Sequence, residues 1–222
     1  FIFVLLSMKK IFILFTTISI ATFAADEIAM PEVYAPGDAS NGSTLVATCA
    51  ACHGGDGNSI NTDWPNLAGQ SEKYLLAQLN YFKDGERENA LMMAVIPYLN
   101  SLSDKELKDI AAFYASGPSN IGRAKNDAEL LALGESLYRS GDIKRGIPAC
   151  TACHSVYGDG NNLAGFPSVA GQQYGYLKST LMAYRSGERN NGDYATVMQA
   201  VAQNLTDNEI DALSNYMHGL YK

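Results

Sequence analysis

The sequence predicts an all-helical protein built from two similar domains in tandem. Three observations support this prediction. Several motifs occur twice in the same order, offset by 101 to 103 residues. Apolar residues recur at helical spacing, and no stretch shows the convincing alternation of a half-buried strand. The chain has 222 residues, 47% of them hydrophobic and 18% charged, which is typical of a packed globule.

The first residues have the pattern of an export signal. Two lysines precede a ten-residue apolar run at 11–20, and small residues follow, ending at Ala24. We predict a signal peptide at 1–24, with residues 1–7 lying upstream of a true start at Met8, and therefore export to the periplasm. An uncleaved membrane anchor is the alternative, but the lysines divide the apolar residues into pieces too short to span a bilayer.

The charge of the chain argues against nucleic-acid binding. Its 16 Lys and Arg residues and 23 Asp and Glu residues give a formal net charge of −7 at pH 7. Binding to phosphates needs a clustered basic face, whereas these basic residues are few and scattered. No later segment is apolar for long enough to span a bilayer, so we expect membrane association to be peripheral or through a partner at most.

The internal repeat defines the domains. The first match pairs Cys49–His53 with Cys150–His154. The other matches are Trp64–Gln70 with Phe166–Gln172, Gly85–Arg87 with Gly187–Arg189, and Leu102–Glu106 with Leu205–Glu209. We predict a first domain at 25–117, a linker at 118–131 and a second domain at 132–222.

Each repeat is expected to contain three or four short helices joined by long loops. Residues 71–84 carry leucines at helical spacing, and capping boxes at Ser103–Glu106 and Thr206–Glu209 predict the start of each last helix. The apolar stripes behind these boxes are Leu107, Ile110 and Tyr114, and Ile210, Leu213 and Met217. Domains of about 100 residues with long loops have a thin core, so we expect a non-peptide group to complete each one.

The repeated Cys-x-x-Cys-His motif indicates what that group is. Two thiols one helical turn apart can bond to the two vinyl groups of a porphyrin, and the next histidine then places its imidazole on the iron. We predict two covalently bound c-type haems. Their expected attachment residues are Cys49, Cys52, Cys150 and Cys153, with His53 and His154 as iron ligands.

Other uses of these cysteines fit the pattern less well. A structural zinc site needs closer cysteine pairs, whereas these lie 101 residues apart. A thioredoxin-like pair follows a strand in a βαβ unit, which the sequence does not predict. Disulfides leave the histidine after each second cysteine unexplained. The remaining histidine, His218, is interpreted as a surface or helix-end residue.

An electron-carrying haem needs a second axial ligand, and methionine is the expected choice because it raises the potential. In the second repeat we favour Met198, which we expect in a loop, over Met182 and Met217, which we expect in the core. In the first repeat the corresponding loop contains Met92 and Met93. We favour Met93, with the other packing against the haem. The two loops differ in spacing, which leaves the first assignment open.

With these motifs in place, the chain resembles the dihaem cytochrome c4 family over residues 37–220. The resemblance rests on the paired Cys-x-x-Cys-His motifs, the Pro-x-x-Ala-Gly-Gln stretches, the Gly-Glu-Arg motifs, the loop methionines and the Leu-Ser/Thr-Asp helix starts. It implies two cytochrome c-like domains related by a pseudo-two-fold axis, His/Met coordination, and electron transfer toward terminal oxidases. It also implies that the carbonyls of Pro65 and Pro167 accept hydrogen bonds from the axial histidines.

We therefore expect a carrier that relays single electrons between a donor and an acceptor protein. Trp64 in the first repeat corresponds to Phe166 in the second. This difference predicts unequal potentials for the two haems. Three alternatives stay open. They are a catalytic dihaem enzyme with one open haem, the dihaem subunit of a flavoprotein sulfide dehydrogenase, and an exported metal-binding module without haem.

Overall fold

The computed structural model describes residues 34–221, and the predicted signal peptide at 1–24 lies outside them. The chain from Ala35 onward forms one compact unit. Its described part consists of helices and loops, with two isolated β-bridges and no strand. None of the described helices is both long and apolar enough to cross a membrane. The predicted all-helical class is confirmed.

Each half of the described chain contains five α-helices, at least one more than predicted. The first half contains α1 (Ala39–Ser43), α2 (Ala47–His53), α3 (Glu72–Lys83), α4 (Ile96–Ser101) and α5 (Asp104–Ala115). The second half contains α6 (Ala128–Ser140), α7 (Thr151–His154), α8 (Tyr174–Ser186), α9 (Ala195–Ala202) and α10 (Asp207–His218). Two 3₁₀ turns lie at Met92–Val95 and Ile143–Arg145.

The predicted helix starts are confirmed at α3, α5 and α10. The Ser71 side chain accepts a hydrogen bond from the third residue of α3. Both capping boxes are present, and in each the glutamate carboxylate accepts the cap residue's N–H at 2.8 Å. Each cap satisfies a backbone donor that the first helical turn leaves without a partner, an effect of about 1 kcal/mol.

Each half has its own hydrophobic core, formed by the predicted stripes and their neighbours. Leu107, Ile110 and Tyr114 are at most 2% exposed in α5. Met217 is buried in α10 as expected, but the prediction that Met182 lies in the core is wrong, because its side chain is 41% exposed. α8 turns Leu181 inward, and the next residue lies about 100° around the helix, on the solvent side.

The first and last helices of each half cross at a glycine. A Cβ on Gly42 in α1 would lie 2.0 Å from the Asp109 carbonyl oxygen, and a Cβ on Gly134 in α6 would lie 2.3 Å from that of Ala212. The two crossings match, because Asp109 and Ala212 are 103 residues apart, as the capping boxes are. Glycine lets the helix backbones approach closely, a role that was not predicted from the sequence.

Candidate haem sites

Both Cys-x-x-Cys-His motifs lie on short helices. Cys49 and Cys52 are three residues apart in α2, and Cys150 caps α7, which contains Cys153. Residues at this spacing share one helix face, so each pair of thiols can meet the same flat ligand edge. All four cysteines are free of disulfides. Burial raises the pKa of the Cys49 thiol and raises that of Cys150 to about 11.

The histidine of each motif is held by a proline carbonyl further along the chain. The Nδ1 atom of His53 lies 2.9 Å from the Pro65 oxygen, and Nδ1 of His154 lies 2.9 Å from that of Pro167. Because a carbonyl only accepts, Nδ1 carries the proton in both rings. Burial lowers the pKa of both imidazoles. This lowering favours the neutral ring, in which the Nε2 lone pair is available to bind a metal ion.

The backbone reverses immediately after each histidine. Gly54 ends α2 with φ at 83°, and Ser155 ends α7 with φ at 67°. Ser155 is the only described non-glycine residue with a positive φ. The Tyr138 hydroxyl donates a 2.8 Å hydrogen bond to the Ser155 carbonyl, which helps to hold this unfavourable conformation. This role of Tyr138 was not predicted from the sequence.

In the second half, Met198 lies inside α9 rather than in the expected loop. Its side chain is half-buried and packs against the second core, as do Cys150 and Val169. The helix therefore packs this methionine on the same core as Cys150 of the haem-attachment motif.

In the first half, Met92 and the predicted ligand Met93 have different surroundings. Met92 packs against the first core together with Cys49 and Leu67, whereas the Met93 side chain is 60% exposed. Leu67 and Val169 occupy equivalent positions of the repeat, so Met92 has the packing environment of Met198. The 3₁₀ turn that begins at Met92 directs adjacent side chains to different sides, which the sequence does not reveal.

Two arginines of the repeated Gly-Glu-Arg motif meet between the halves. Arg189 Nη2 donates to the Tyr74 hydroxyl at 3.0 Å, and Arg87 Nη2 donates to the Tyr176 hydroxyl at 3.4 Å. The Gln78 side-chain oxygen accepts from both arginines, at 2.7 and 3.1 Å. Burial alone raises the pKa of the Tyr176 phenol, but the charges of the two guanidiniums outweigh it and lower the pKa.

This arginine pair lacks an acidic partner among these contacts. Arg189 is 8% exposed, and its Nε atom is buried without a hydrogen-bond partner. A buried guanidinium donor left unsatisfied is costly unless an acceptor lies beside it. A carboxylate of a bound porphyrin is an acceptor of the right charge, so the described residues fit a haem in both thiol chemistry and charge.

Two helical domains with paired Cys-x-x-Cys-His motifs define the class of c-type cytochromes with two covalently bound haems. The family model for cytochrome c matches residues 39–117 and 131–220. The chain belongs to the cytochrome c4 family of dihaem electron carriers. It is 44% identical to cytochrome c4 of Pseudomonas aeruginosa over 188 residues, covering 85% of this chain and 91% of that protein.

A solved structure and a further relative agree with this family. The crystal structure of reduced recombinant cytochrome c4 from Pseudomonas stutzeri matches with a TM-score of 0.78 and 44% identity, over 83% of this chain and 100% of that one. A thiosulfate dehydrogenase electron acceptor of Thiomonas intermedia is 35% identical, over 78% of each chain. The predicted family and the two c-type haems are confirmed.

Proposed function

We propose that this cytochrome works in the periplasm, where it takes single electrons from a donor protein and passes them to a terminal oxidase. The observation that carries the proposal is the pair of equivalent histidine sites held in one compact unit. A relay needs two sites in a fixed relation, and a periplasmic location follows from the predicted signal peptide at 1–24.

Each half supplies a complete set of residues for its haem, whose iron provides a one-electron couple when bound. We assign the thioether bonds to Cys49, Cys52, Cys150 and Cys153, and the axial positions to His53, Met92, His154 and Met198. Pro65 and Pro167 hold the imidazoles in orientation through the 2.9 Å hydrogen bonds. Arg87 and Arg189, which meet between the halves, would supply positive charge to the carboxylates of a bound porphyrin.

A methionine for each iron favours a carrier over an enzyme. An iron site that binds a substrate needs an open or easily displaced position. Here a half-buried methionine packs on the same core as a cysteine of each haem-attachment motif, so each iron would have a second candidate ligand. An iron bound by histidine and methionine in both oxidation states would change its coordination little on electron transfer.

The axial assignment is tested by methionine variants of the purified holoprotein. The ferric haem–methionine bond gives a weak red charge-transfer band, and a pyridine haem count gives the number of haems per chain. We expect two haems and a two-haem band in the wild type. Met92→Ala and Met198→Ala should each halve the band, because each removes one sulfur ligand.

Met93→Ala and Met182→Ala are the matched controls, and both should keep the full band. A halved band in Met93→Ala, with the full band in Met92→Ala, would return the ligand position to Met93. A wild-type protein with a half-intensity band and a high-spin signal would show an open iron, and would favour the catalytic alternative.

The thiosulfate dehydrogenase electron acceptor of Thiomonas intermedia favours a second candidate for the donor. If this chain acts similarly, its donor is a dehydrogenase that oxidises a sulfur compound. Such a dehydrogenase, supplied with its substrate, should then reduce the purified protein within the mixing time. Oxidation by oxidase-containing membranes tests the acceptor side, and failure of reduced protein to support oxygen uptake would contradict the oxidase assignment.

A further inference from the structure

The last residue of each Pro-x-x-Ala-Gly-Gln motif reaches into the opposite half. The Gln172 side chain accepts the Asn66 N–H at 2.8 Å and donates to the Asn66 carbonyl at 2.9 Å. Gln70 makes the same two bonds with Ser168, at 2.8 and 2.9 Å. Each carboxamide thus occupies both backbone groups of one residue across the interface. We call this pair of contacts the glutamine clasp.

Both glutamines are held in place for this contact. Gln70 and Gln172 are each 7% exposed. Each side-chain oxygen also accepts the N–H of the next residue in its own chain segment, at 2.8 Å. Two acceptor bonds on one oxygen fix the side-chain conformation, so the clasp is preorganised rather than formed by a mobile surface group.

The clasped residue directly follows the proline that supports the histidine. The Pro65 carbonyl and the Asn66 N–H belong to one planar peptide group. This group accepts the His53 Nδ1–H on one side and donates to Gln172 on the other, at 2.9 and 2.8 Å. Hydrogen bonds in such a chain polarise one another, so the glutamine strengthens the carbonyl as an acceptor.

The same chain of hydrogen bonds exists in the other direction. His154 donates to Pro167, and the N–H of the same peptide group, on Ser168, donates to Gln70. A histidine that donates a stronger Nδ1–H bond becomes a more basic metal ligand. The support of each histidine therefore ends on a side chain from the half that does not contain it.

We propose that Gln70 and Gln172 are positioning residues that act crosswise, so that Gln172 tunes the His53 site and Gln70 tunes the His154 site. The proposal rests on the proposed function, because it takes both histidines as iron ligands. It assigns to the repeated glutamine a role beyond joining the halves. A merely structural clasp would affect both sites alike.

The test uses Gln172→Met and Gln70→Met in the holoprotein, since methionine keeps the volume but makes no such hydrogen bonds. The readouts are the reduction potential of each site from an NMR redox titration, and the exchange rate of each His Nδ1–H proton. In Gln172→Met we expect the potential of the His53 site to rise and its Nδ1–H to exchange faster, with the His154 site unchanged. Gln70→Met should show the reverse pattern.

Two further variants keep the result decisive. Lys73→Ala removes another bond between the halves, from Lys73 Nζ to the Leu163 carbonyl at 3.0 Å, without touching either proline segment, and should change neither site. Gln172→Glu keeps an acceptor for the Asn66 N–H, so it should not raise the reduction potential of the His53 site as Gln172→Met does. Equal shifts at both sites, no shift, or the same shifts in Lys73→Ala would overturn the proposal. If the proposal is overturned, NMR signals from two iron-bound histidines in the wild-type protein would still support the proposed function.

Discussion

Asp109 is a buried carboxylate that joins the first and last helices of the first half. It is 1% exposed and accepts hydrogen bonds from the Asp38 N–H at 2.8 Å, Asn41 Nδ2 at 2.7 Å and Lys105 Nζ at 2.6 Å. The hydrogen bond from Lys105, then that from Asp38, lowers its pKa from 3.8 to about 2. The start of α1 is therefore held by charge as well as by its glycine crossing.

This lowered pKa predicts a loss of stability in acid. The unfolded carboxyl has the higher pKa, so the unfolded chain binds more protons as the pH falls from about 4 to 2, and the Asp109 contribution is lost over that range. Glu209 adds to the effect, because its hydrogen bond with Arg145 lowers its pKa from 4.5 to about 2. Both contributions are fully present above about pH 5.

This loss of stability in acid is measured by denaturant unfolding of the holoprotein at a series of pH values, with the circular dichroism of the helices as the signal. Asp109→Asn should flatten the slope of unfolding free energy between about pH 2 and 4, whereas the exposed control Glu129→Gln should not. An unchanged slope in Asp109→Asn would contradict the assignment.

Single residues also show where sequence reasoning reaches its limit. The cysteines and histidines could be predicted because their spacing alone determines what they bind. Met92 and Met93 could not be separated in this way, because they are adjacent and identical in chemistry. Only the direction of the backbone at the 3₁₀ turn distinguishes their surroundings.

At the level of helices, side-chain capping could be predicted but close packing could not. The capping boxes of α5 and α10 are local, so four consecutive residues reveal them. The roles of Gly42 and Gly134 depend on a backbone carbonyl that lies far along the chain. The short helix α1 also has too few residues to show an apolar period.

Alanine at either crossing glycine should destabilise the protein. The added Cβ would lie 2.0 or 2.3 Å from a backbone oxygen, so the helices must move apart. We expect Gly42→Ala and Gly134→Ala each to lower the free energy of unfolding by about 1–3 kcal/mol, despite the better helix propensity of alanine.

Gly55→Ala is the matched control, because a Cβ at this position would meet no atom within 4 Å and the φ of Gly55 is not left-handed. It should change stability by less than about 0.5 kcal/mol. Denaturant unfolding at neutral pH compares the three variants. Equal stabilities of Gly42→Ala and Gly55→Ala would show that the crossing tolerates a side chain.

Over the whole molecule, negative charge is concentrated in the first half. Residues 34–117 contain five Lys and Arg and ten Asp and Glu, whereas residues 118–222 contain nine and ten, for net charges of −5 and −1. Glu86 and Glu88 are exposed in the first half, beside Arg87. Such an uneven charge orients an approaching charged partner at long range.

A cationic reactant should therefore favour the first half. We expect oxidation of the reduced protein by tris(phenanthroline)cobalt(III) to slow as ionic strength rises, because salt screens the attraction. At low salt Glu86→Gln/Glu88→Gln should slow it more than Glu188→Gln, an exposed match in the second half. Stopped-flow kinetics measures the rates. With anionic ferricyanide as the oxidant, Glu86→Gln/Glu88→Gln should react faster than Glu188→Gln. Identical rates for all variants would exclude steering by these residues.

The repeat in the sequence predicted two domains, but not how they dock. The repeated glutamine and arginine were visible as motifs, yet their partners in the opposite half lie about half the chain away and no local pattern shows them. The boundaries at 25–117, 118–131 and 132–222 stay predictions. α6 begins at Ala128, so the predicted linker contains its first turn.

The glutamine clasp also bears on how such a chain arises. Its contacts are isologous, since Gln70 meets the second half as Gln172 meets the first, which is the signature of a two-fold homodimer. A single-domain ancestor with this surface would pair with its own copy, and gene fusion would keep the pair intact. In such an ancestor every substitution would change both sides of the interface together. After fusion each side evolves separately, and Gln78, whose counterpart in the second half is Thr180, is a position where the two sides already differ.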